Sequence, residues 1–122
     1  MNITTGTDII EVKRIQNLIE KYGETFLNKV YTENEIAYCE KKKDVKYQHY
    51  AARFAAKEAV YKAISKNSSE SIEWKRIEVI NESNGRPKIN EEKLPGYNID
   101  ISLSHLEEFA IANAIAIRDV EK

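Results

Sequence analysis

The segment Phe109–Ile117 constrains the fold more than any other part of the chain. Its sequence, FAIANAIAI, places alanine at every second position, between residues that are mostly large and apolar. This period of two predicts a β-strand in spite of the alanines. Because both faces of the strand are apolar, we expect both to be covered, either between sheet and helix or at a subunit contact. Asn113 is the one polar residue on the face of large side chains, and it needs a hydrogen-bond partner there.

The first half of the chain predicts mainly helices. Six alanines between positions 51 and 63 make Tyr47–Lys66 the strongest helix candidate, and they let a neighbouring backbone approach closely. Apolar residues recur at helical spacing from Val12 to Tyr22, and Gly23 stops that pattern. Two shorter elements are also predicted: a strand over Ile3–Ile10 that Gly6 interrupts, and a helix through Cys39 that the capping box Thr32-Glu33-Asn34-Glu35 opens.

The second half of the chain predicts strands instead. Strands are expected over Lys75–Asn81 and Asn98–Leu103, and the latter has apolar residues at alternate positions. Between them, Ser83–Pro87 contains the pair Asn84-Gly85, which is typical of a tight turn. No repeat, low-complexity run or linker divides the 122 residues, so we expect a single domain over 1–122.

Composition and charge exclude several classes of function. The net charge of −1 gives no overall attraction to nucleic acid or to an anionic membrane. The first 66 residues carry 12 basic and 9 acidic side chains, so an anion-binding surface is expected mainly there. A single cysteine, Cys39, excludes an internal disulfide framework and suits a reducing cytoplasm. Charges interrupt every apolar run, and neither a signal peptide core nor a membrane span is expected.

Two positions could hold a metal ion. Asp8 stands where the first strand gives way to a helix, a place that suits a metal or phosphate ligand, although a turn or capping role is the commoner one. Glu58 and Lys62 share one face of the alanine-rich helix. They are either an ordinary exposed ion pair or a carboxylate that holds a cation beside a lysine that meets a phosphate. Magnesium favours such a site, because it commonly takes one or two protein carboxylates together with water and substrate phosphate.

Three further features have both a structural and a functional interpretation. The run Ser102-Leu103-Ser104-His105 ends a strand with hydroxyls and an imidazole, but it does not establish a catalytic triad. His49 is expected to be a surface or packing residue. Arg14, Leu18 and Lys21 form a basic, apolar, basic ridge on the first helix, which suits an acidic partner helix or is simply a charged solvent face.

The order of four motifs resembles a known family. GTDIIEVKR is followed by ARFAAKEAVYKA, then by NGRP, and finally by SLSH. Over nearly its whole length the chain resembles the holo-acyl-carrier-protein synthases, the small bacterial members of the phosphopantetheinyl transferase superfamily. The resemblance implies an α+β fold with an antiparallel sheet packed on a long central helix, a homotrimer, and coenzyme A bound in clefts between subunits.

The resemblance also implies an activity and a set of site residues. The 4′-phosphopantetheine arm of coenzyme A would move to a serine of an apo acyl carrier protein, releasing 3′,5′-ADP. Asp8 and Glu58 would hold Mg²⁺, and Lys62 would neutralise a phosphate oxygen. Glu58 or a metal-bound water would take the proton of the serine. Arg53 and His105 would bind coenzyme A phosphates, and Arg86 and Pro87 would border its nucleotide. The carrier protein would dock on Arg14, Leu18 and Lys21.

One segment departs from the family pattern. A glycine-rich turn usually follows the long helix, whereas this chain has residues 64–69, ISKNSS. Backbone contacts to phosphate are therefore in doubt there, and serine hydroxyls or Lys66 would have to replace them.

Two other classes of function are alternatives to the transferase. A binding module without turnover would consume no coenzyme A, and a nucleic-acid module at Lys41–Lys43 and Lys46 is disfavoured by the net charge and the lack of interleaved aromatic residues.

Overall fold

A three-stranded antiparallel sheet and one long helix form the centre of the molecule, in a computed structural model that describes residues 1–65 and 71–119. The sheet strands are β1 (Asn2–Glu11), β4 (Asn98–His105) and β5 (Phe109–Arg118), with β5 in the middle. Two short strands, β2 (Val79–Asn81) and β3 (Pro87–Ile89), pair separately. The helices are α1 (Val12–Tyr22), α2 (Glu24–Val30), α3 (Glu33–Glu40) and α4 (Lys46–Ile64). This architecture confirms the expected α+β class.

Helix α4 packs on the sheet through small side chains. The β5 alanines at 110, 112, 114 and 116 are at most 1% exposed, and the α4 alanines at 51, 52, 55, 56, 59 and 63 are equally buried at 2% or less. Gly6 of β1 lies under the same helix. A Cβ atom at Gly6 would stand 1.9 Å from the carbonyl oxygen of Ala59, so only glycine permits this approach of strand and helix. The contact sets the second half of α4 beside the end of β1.

The other face of the sheet is open in the single chain. Ile111 is 36% exposed and Ile115 is 45% exposed, so only the alanine face of β5 is buried here. The expected partner of Asn113 is present, because the Thr7 hydroxyl donates a hydrogen bond to Asn113 Oδ1 at 2.9 Å. The apolar residues exposed on this outer face, which we call the isoleucine face, are Ile3, Ile9, Phe109, Ile111 and Ile115.

Most local predictions are confirmed. The predicted strand over Ile3–Ile10 is part of β1, and the α1 and α4 helices match within a few residues. Thr32 caps α3 by accepting a hydrogen bond from the Glu35 amide at 3.2 Å, while its own amide donates to Glu35 Oε1 at 2.8 Å. The turn around Gly85, which has a φ of 88°, joins β2 to β3 as the Asn-Gly pair predicts. Ser102 and His105 lie on β4, which extends the predicted strand to His105.

The prediction of a strand over Lys75–Asn81 is wrong for most of its length. A single 3₁₀ turn covers Trp74–Arg76, and pairing begins only at Val79. The physical reason is that the carbonyl oxygens of Trp74 and Ile77 accept hydrogen bonds from the Lys57 ammonium, at 3.0 and 2.7 Å, in place of a neighbouring strand. The sequence analysis also missed the short elements α2 and β3. No helix among residues 1–65 and 71–119 has the length and apolar character to cross a bilayer.

Candidate functional site

Asp8 and Lys62 meet where β1 passes under the second half of α4. Lys62 Nζ lies 3.2 Å from Asp8 Oδ1 and donates a second hydrogen bond, of 2.9 Å, to the carbonyl oxygen of Thr7. The Asp8 side chain is 16% exposed, whereas that of Lys62 is 49% exposed. The two residues are 54 positions apart in the sequence, so only the close packing of strand on helix brings them together. Because the Lys62 side chain is half exposed to solvent, its ammonium can exchange Asp8 for another anion.

Glu58 lies one helical turn before Lys62 and faces the same site. Burial is the largest cause that raises the pKa of Glu58 above its usual value, and the negative charge of Asp8 raises it further. The positive charges of Lys62 and Arg14 act in the opposite direction. The negative charge of Asp8 therefore reaches Glu58, so a cation bound at this site would be favoured.

This pair of carboxylates fits a magnesium ion. Both provide hard oxygen ligands, and their mutual repulsion is the feature that a divalent cation relieves. In the part of the chain that the structure describes, no group of three or more histidine, cysteine, aspartate or glutamate residues could hold a metal. Two protein carboxylates leave most of the octahedron to water and to substrate oxygens, as is usual for magnesium at phosphate sites.

A small pocket that no sequence feature predicted is lined in part by Glu58. Its volume is about 140 Å³. The indole ring of Trp74 stacks on Phe54, with ring centroids 4.9 Å apart, and closes one side. The lining residues come from α4 and from the segment that follows it: Lys57, Glu58, Tyr61, Ser71, Ile72, Trp74 and Ile77. Glu58 thus stands between the Asp8 site and an aromatic-walled recess.

Arg53 and His105 belong to a second, basic cluster at the start of α4. Arg53 is 2% exposed, donates to Asn81 Oδ1 at 2.7 Å, and lies 3.7 Å from the ring centre of Tyr38. Its Nε is buried with no hydrogen-bond partner among the described residues. His105 Nδ1 lies 2.9 Å from Gln48 Oε1. No contact of these residues reaches Asp8 or Glu58 within the described part of the chain.

His49 reports the electrostatics of this basic cluster. Its ring packs between Tyr38 and His105, with centroids 5.7 and 4.8 Å away, which confirms that it is a packing residue. Burial, followed by the charges of His105, Lys42 and Arg53, lowers the pKa of His49 to about 4. Positive charge is therefore already concentrated here, and an anion bound at this cluster would be stabilised.

Arg86 and Pro87 lie at the far end of the sheet. Arg86 donates to Asp100 Oδ1 at 2.9 Å, and its Nε is 3.9 Å from Glu82 Oε1. Both pairs are exposed, so water and competing anions can replace them at little cost. A broad groove of about 760 Å³ includes Arg86, while Pro87 begins β3. In the single chain this groove is separate from the Asp8 site.

Arg14, Leu18 and Lys21 line one shallow groove on α1, as the helical spacing predicts. Its volume is about 460 Å³, and Tyr22 closes one end. The charge of Arg14 acts to lower the pKa of Glu58, which links the ridge to the carboxylate site electrostatically. Of the donors expected in place of a glycine-rich turn, Lys66, Ser68 and Ser69 lie outside the described residues, and the Ser65 hydroxyl donates to the carbonyl oxygen of Lys62 at 3.3 Å.

Comparisons with known proteins agree on one family. The sequence-family model of the 4′-phosphopantetheinyl transferase superfamily matches residues 4–114 of this chain. A holo-[acyl-carrier-protein] synthase of Ruminiclostridium cellulolyticum is 44% identical over 94% of this chain and 92% of its own length. That of Thermodesulfovibrio yellowstonii is 48% identical over 88% of this chain and 91% of its own. The crystal structure of the Bacillus anthracis synthase in complex with CoA (3′,5′-ADP) has 32% identity and a TM-score of 0.79, covering 93% of this chain and 94% of that one.

The raised pKa of Glu58 predicts that Glu58→Gln stabilises the metal-free protein near neutral pH. Above the folded pKa, the ionised carboxylate disfavours the folded state, because there it is partly buried beside Asp8. Below the unfolded pKa the carboxyl is protonated in both states, so the advantage of glutamine disappears. Urea unfolding in EDTA at about pH 7 and about pH 4 measures the difference. Glu107→Gln, at an exposed position, is the control. A variant less stable than the parent at neutral pH would contradict the electrostatic description.

Proposed function

The chain belongs to the 4′-phosphopantetheinyl transferase superfamily, and we propose that Asp8, Glu58 and Lys62 form its reaction centre. The protein transfers 4′-phosphopantetheine from coenzyme A to a serine of an apo acyl carrier protein, which yields the holo form and 3′,5′-ADP. The observation that supports the centre is the convergence of Asp8 and Glu58, fifty residues apart, with Lys62 beside them. This convergence suits a reaction in which a negatively charged diphosphate is cleaved next to a protein partner.

Asp8 and Glu58 would hold Mg²⁺ together with oxygens of the coenzyme A diphosphate. Bound there, the ion would supply positive charge that offsets the negative charge of the diphosphate as its P–O bond breaks. Asp8 provides a carboxylate fixed on the sheet, and Glu58 provides one fixed on α4. The two elements cannot separate easily, because Gly6 and Ala59 are in direct contact below them.

Lys62 would move from Asp8 to a phosphate oxygen when coenzyme A binds. Its ammonium is half exposed and is held by only one carboxylate and one carbonyl oxygen, so the exchange is inexpensive. A negatively charged transition state gains more from this ammonium than the ground state does. Glu58, or a water molecule on the bound ion, would take the proton of the serine hydroxyl.

Removal of either carboxylate should abolish transfer. We expect Asp8→Ala and Glu58→Ala each to lower kcat/KM by about a hundredfold or more, because each leaves the diphosphate with half of its cation site. Mass spectrometry of the carrier protein, after incubation with coenzyme A and Mg²⁺, measures the added phosphopantetheine. Glu107→Ala, on an exposed turn, serves as the control. Unchanged turnover in either carboxylate variant would reject the assigned centre.

Arg53 and His105 are proposed ligands for coenzyme A phosphates, and Arg86 and Pro87 are proposed to border the nucleotide. In the single chain these groups make no contact with Asp8 or Glu58, which suggests that one coenzyme A molecule spans two copies. The isoleucine face supports the proposal of a homotrimer. Five large apolar side chains exposed on one side of a sheet are typical of a surface that another subunit covers.

The trimer proposal predicts that Ile111→Glu produces a monomer. A carboxylate in the middle of the isoleucine face would lose its hydration when a second subunit covers it. Light scattering coupled to size-exclusion chromatography gives the mass of the particle. Val45→Glu, at an exposed apolar residue outside this face, should remain trimeric. A parent protein that elutes as a monomer at all concentrations would exclude the trimer.

The ridge of Arg14, Leu18 and Lys21 is the proposed docking surface for the acyl carrier protein. Its two cations flank an apolar side chain along one groove of α1, which suits a helix with acidic and apolar residues. Because Arg14 also acts on Glu58, a helix bound at this ridge would stand next to the carboxylate centre. We propose the cytoplasm as the location, which suits the buried, unpaired Cys39.

Charge reversal on the ridge should weaken docking without harming the chemistry. Lys21→Glu is expected to raise KM for the carrier protein by about tenfold and to leave kcat near its original value. Added salt should raise KM for the parent enzyme more than for the variant, because screening removes an attraction that the variant already lacks. Steady-state kinetics with varied carrier protein test this, with Lys75→Glu as a surface control. A fall in kcat alone would argue against a docking role.

A further inference from the structure

Lys57 is the neighbour of Glu58 in the sequence, yet its environment is entirely different. Its side chain has no exposed surface. The ammonium lies 2.8 Å from Glu35 Oε1, and it also donates to the carbonyl oxygens of Ile77, at 2.7 Å, and of Trp74, at 3.0 Å. A lysine ammonium has three protons, so all of its donors are in use. Lys57 therefore has no donor to offer to a phosphate, unlike the half-exposed Lys62.

The partner carboxylate, Glu35, is satisfied just as completely. Besides Lys57, its oxygens accept hydrogen bonds from the amide of Thr32, at 2.8 Å, and from the amide of Val79, at 2.7 Å. Glu35 has no exposed surface either. The ion pair thus ties α4 to the start of α3 and to the start of β2. A fully bonded buried pair of this kind fixes geometry, because moving either partner leaves an unpaired charge inside the protein.

The two carbonyl groups that Lys57 binds belong to the wall of the pocket beside Glu58. Trp74 and Ile77 line this pocket of about 140 Å³ together with Glu58. The polypeptide is not part of a strand from Trp74 to Ile77, so no sheet holds it in place. Two hydrogen bonds from Lys57, together with the stacking of Trp74 on Phe54, fix the distance between this wall and α4.

We propose that Lys57 is a positioning residue, which, through Glu35 and the carbonyl groups of Trp74 and Ile77, sets the width of the recess into which Glu58 faces. It acts through the wall and touches no substrate. The expected effect on the kinetics rests on the proposed function, because the recess borders Glu58, which is proposed as a metal ligand and as one of the two candidate bases. Loss of Lys57 should displace the wall, misplace the reacting groups and slow the chemical step. It should not weaken the capture of coenzyme A phosphates.

The experiment combines kinetics with a direct probe of the wall. Trp74 is the only tryptophan in the chain, so tryptophan emission, excited at a wavelength that tyrosine does not absorb, reports on this segment alone. In Lys57→Met we expect emission at longer wavelength and stronger quenching by acrylamide. We also expect kcat to fall by about tenfold or more, whereas KM for coenzyme A stays within about threefold of the parent value. Lys75→Met, an exposed lysine next to Trp74, should change neither readout.

A second variant protects the test against loss of the fold. Lys57→Met leaves Glu35 as a lone buried charge, so the double variant Lys57→Met with Glu35→Gln removes both charges and should fold by circular dichroism. It should reproduce the fluorescence change and the fall in kcat. A raised KM with kcat and fluorescence unchanged would make Lys57 a phosphate ligand and overturn the proposal. A displaced Trp74 with normal kcat would overturn it as well, by showing a purely structural role.

Failure of the proposed function gives a different result from failure of this inference. If the parent protein, with coenzyme A, Mg²⁺ and a carrier protein, transfers nothing, the proposed function is rejected and the kinetic part of the inference with it. The fluorescence comparison needs no substrate and still decides whether Lys57 holds the wall. If the parent is active and Lys57→Met is indistinguishable from it in every readout, only the inference is rejected.

Discussion

The contact between Gly6 and the backbone of Ala59 is the constraint on which the rest of the structure depends. A side chain at position 6 would collide with the helix carbonyl, so the strand and α4 can approach this closely only at a glycine. Asp8 follows two residues later on β1, while Glu58 and Lys62 flank Ala59 on α4. The separation of the two backbone segments that carry the carboxylates is therefore set by a direct backbone contact.

Two adjacent residues of α4 show how one helix serves both stability and chemistry. Lys57 points into the protein, where every proton of its ammonium is bound, whereas Glu58 points to a partly open site beside Asp8. Burial that is fully compensated makes an ionic group rigid and unreactive. Burial that is only partly compensated raises the pKa of a carboxyl and prepares it for a cation or a proton. The two side chains differ in function because their surroundings satisfy them to different degrees.

The sequence predicted those features whose causes are local. The alternation in β5, the capping box at Thr32, the helical spacing in α1 and the alanines of α4 each act within a few residues, and each is present in the structure. The failed prediction at Lys75–Glu78 has a remote cause, because Lys57 takes the carbonyl groups that a neighbouring strand would have used. Asp8 and Glu58 are also remote from each other in the sequence. Their spacing could not show that they come together, and only the family resemblance suggested it. The only local sign of the recess beside Glu58 was a lysine within an otherwise apolar face of the helix.

The floor beneath the reaction centre consists of methyl groups from α4 and β5 that meet across the core. Alanine has no rotamers, so these side chains lose no conformational freedom when the chain folds. For the same reason, no alternative rotamer at this boundary can shift the helix relative to the sheet. We therefore expect Glu58 and Lys62 to move relative to Asp8 mainly through their own side-chain torsions.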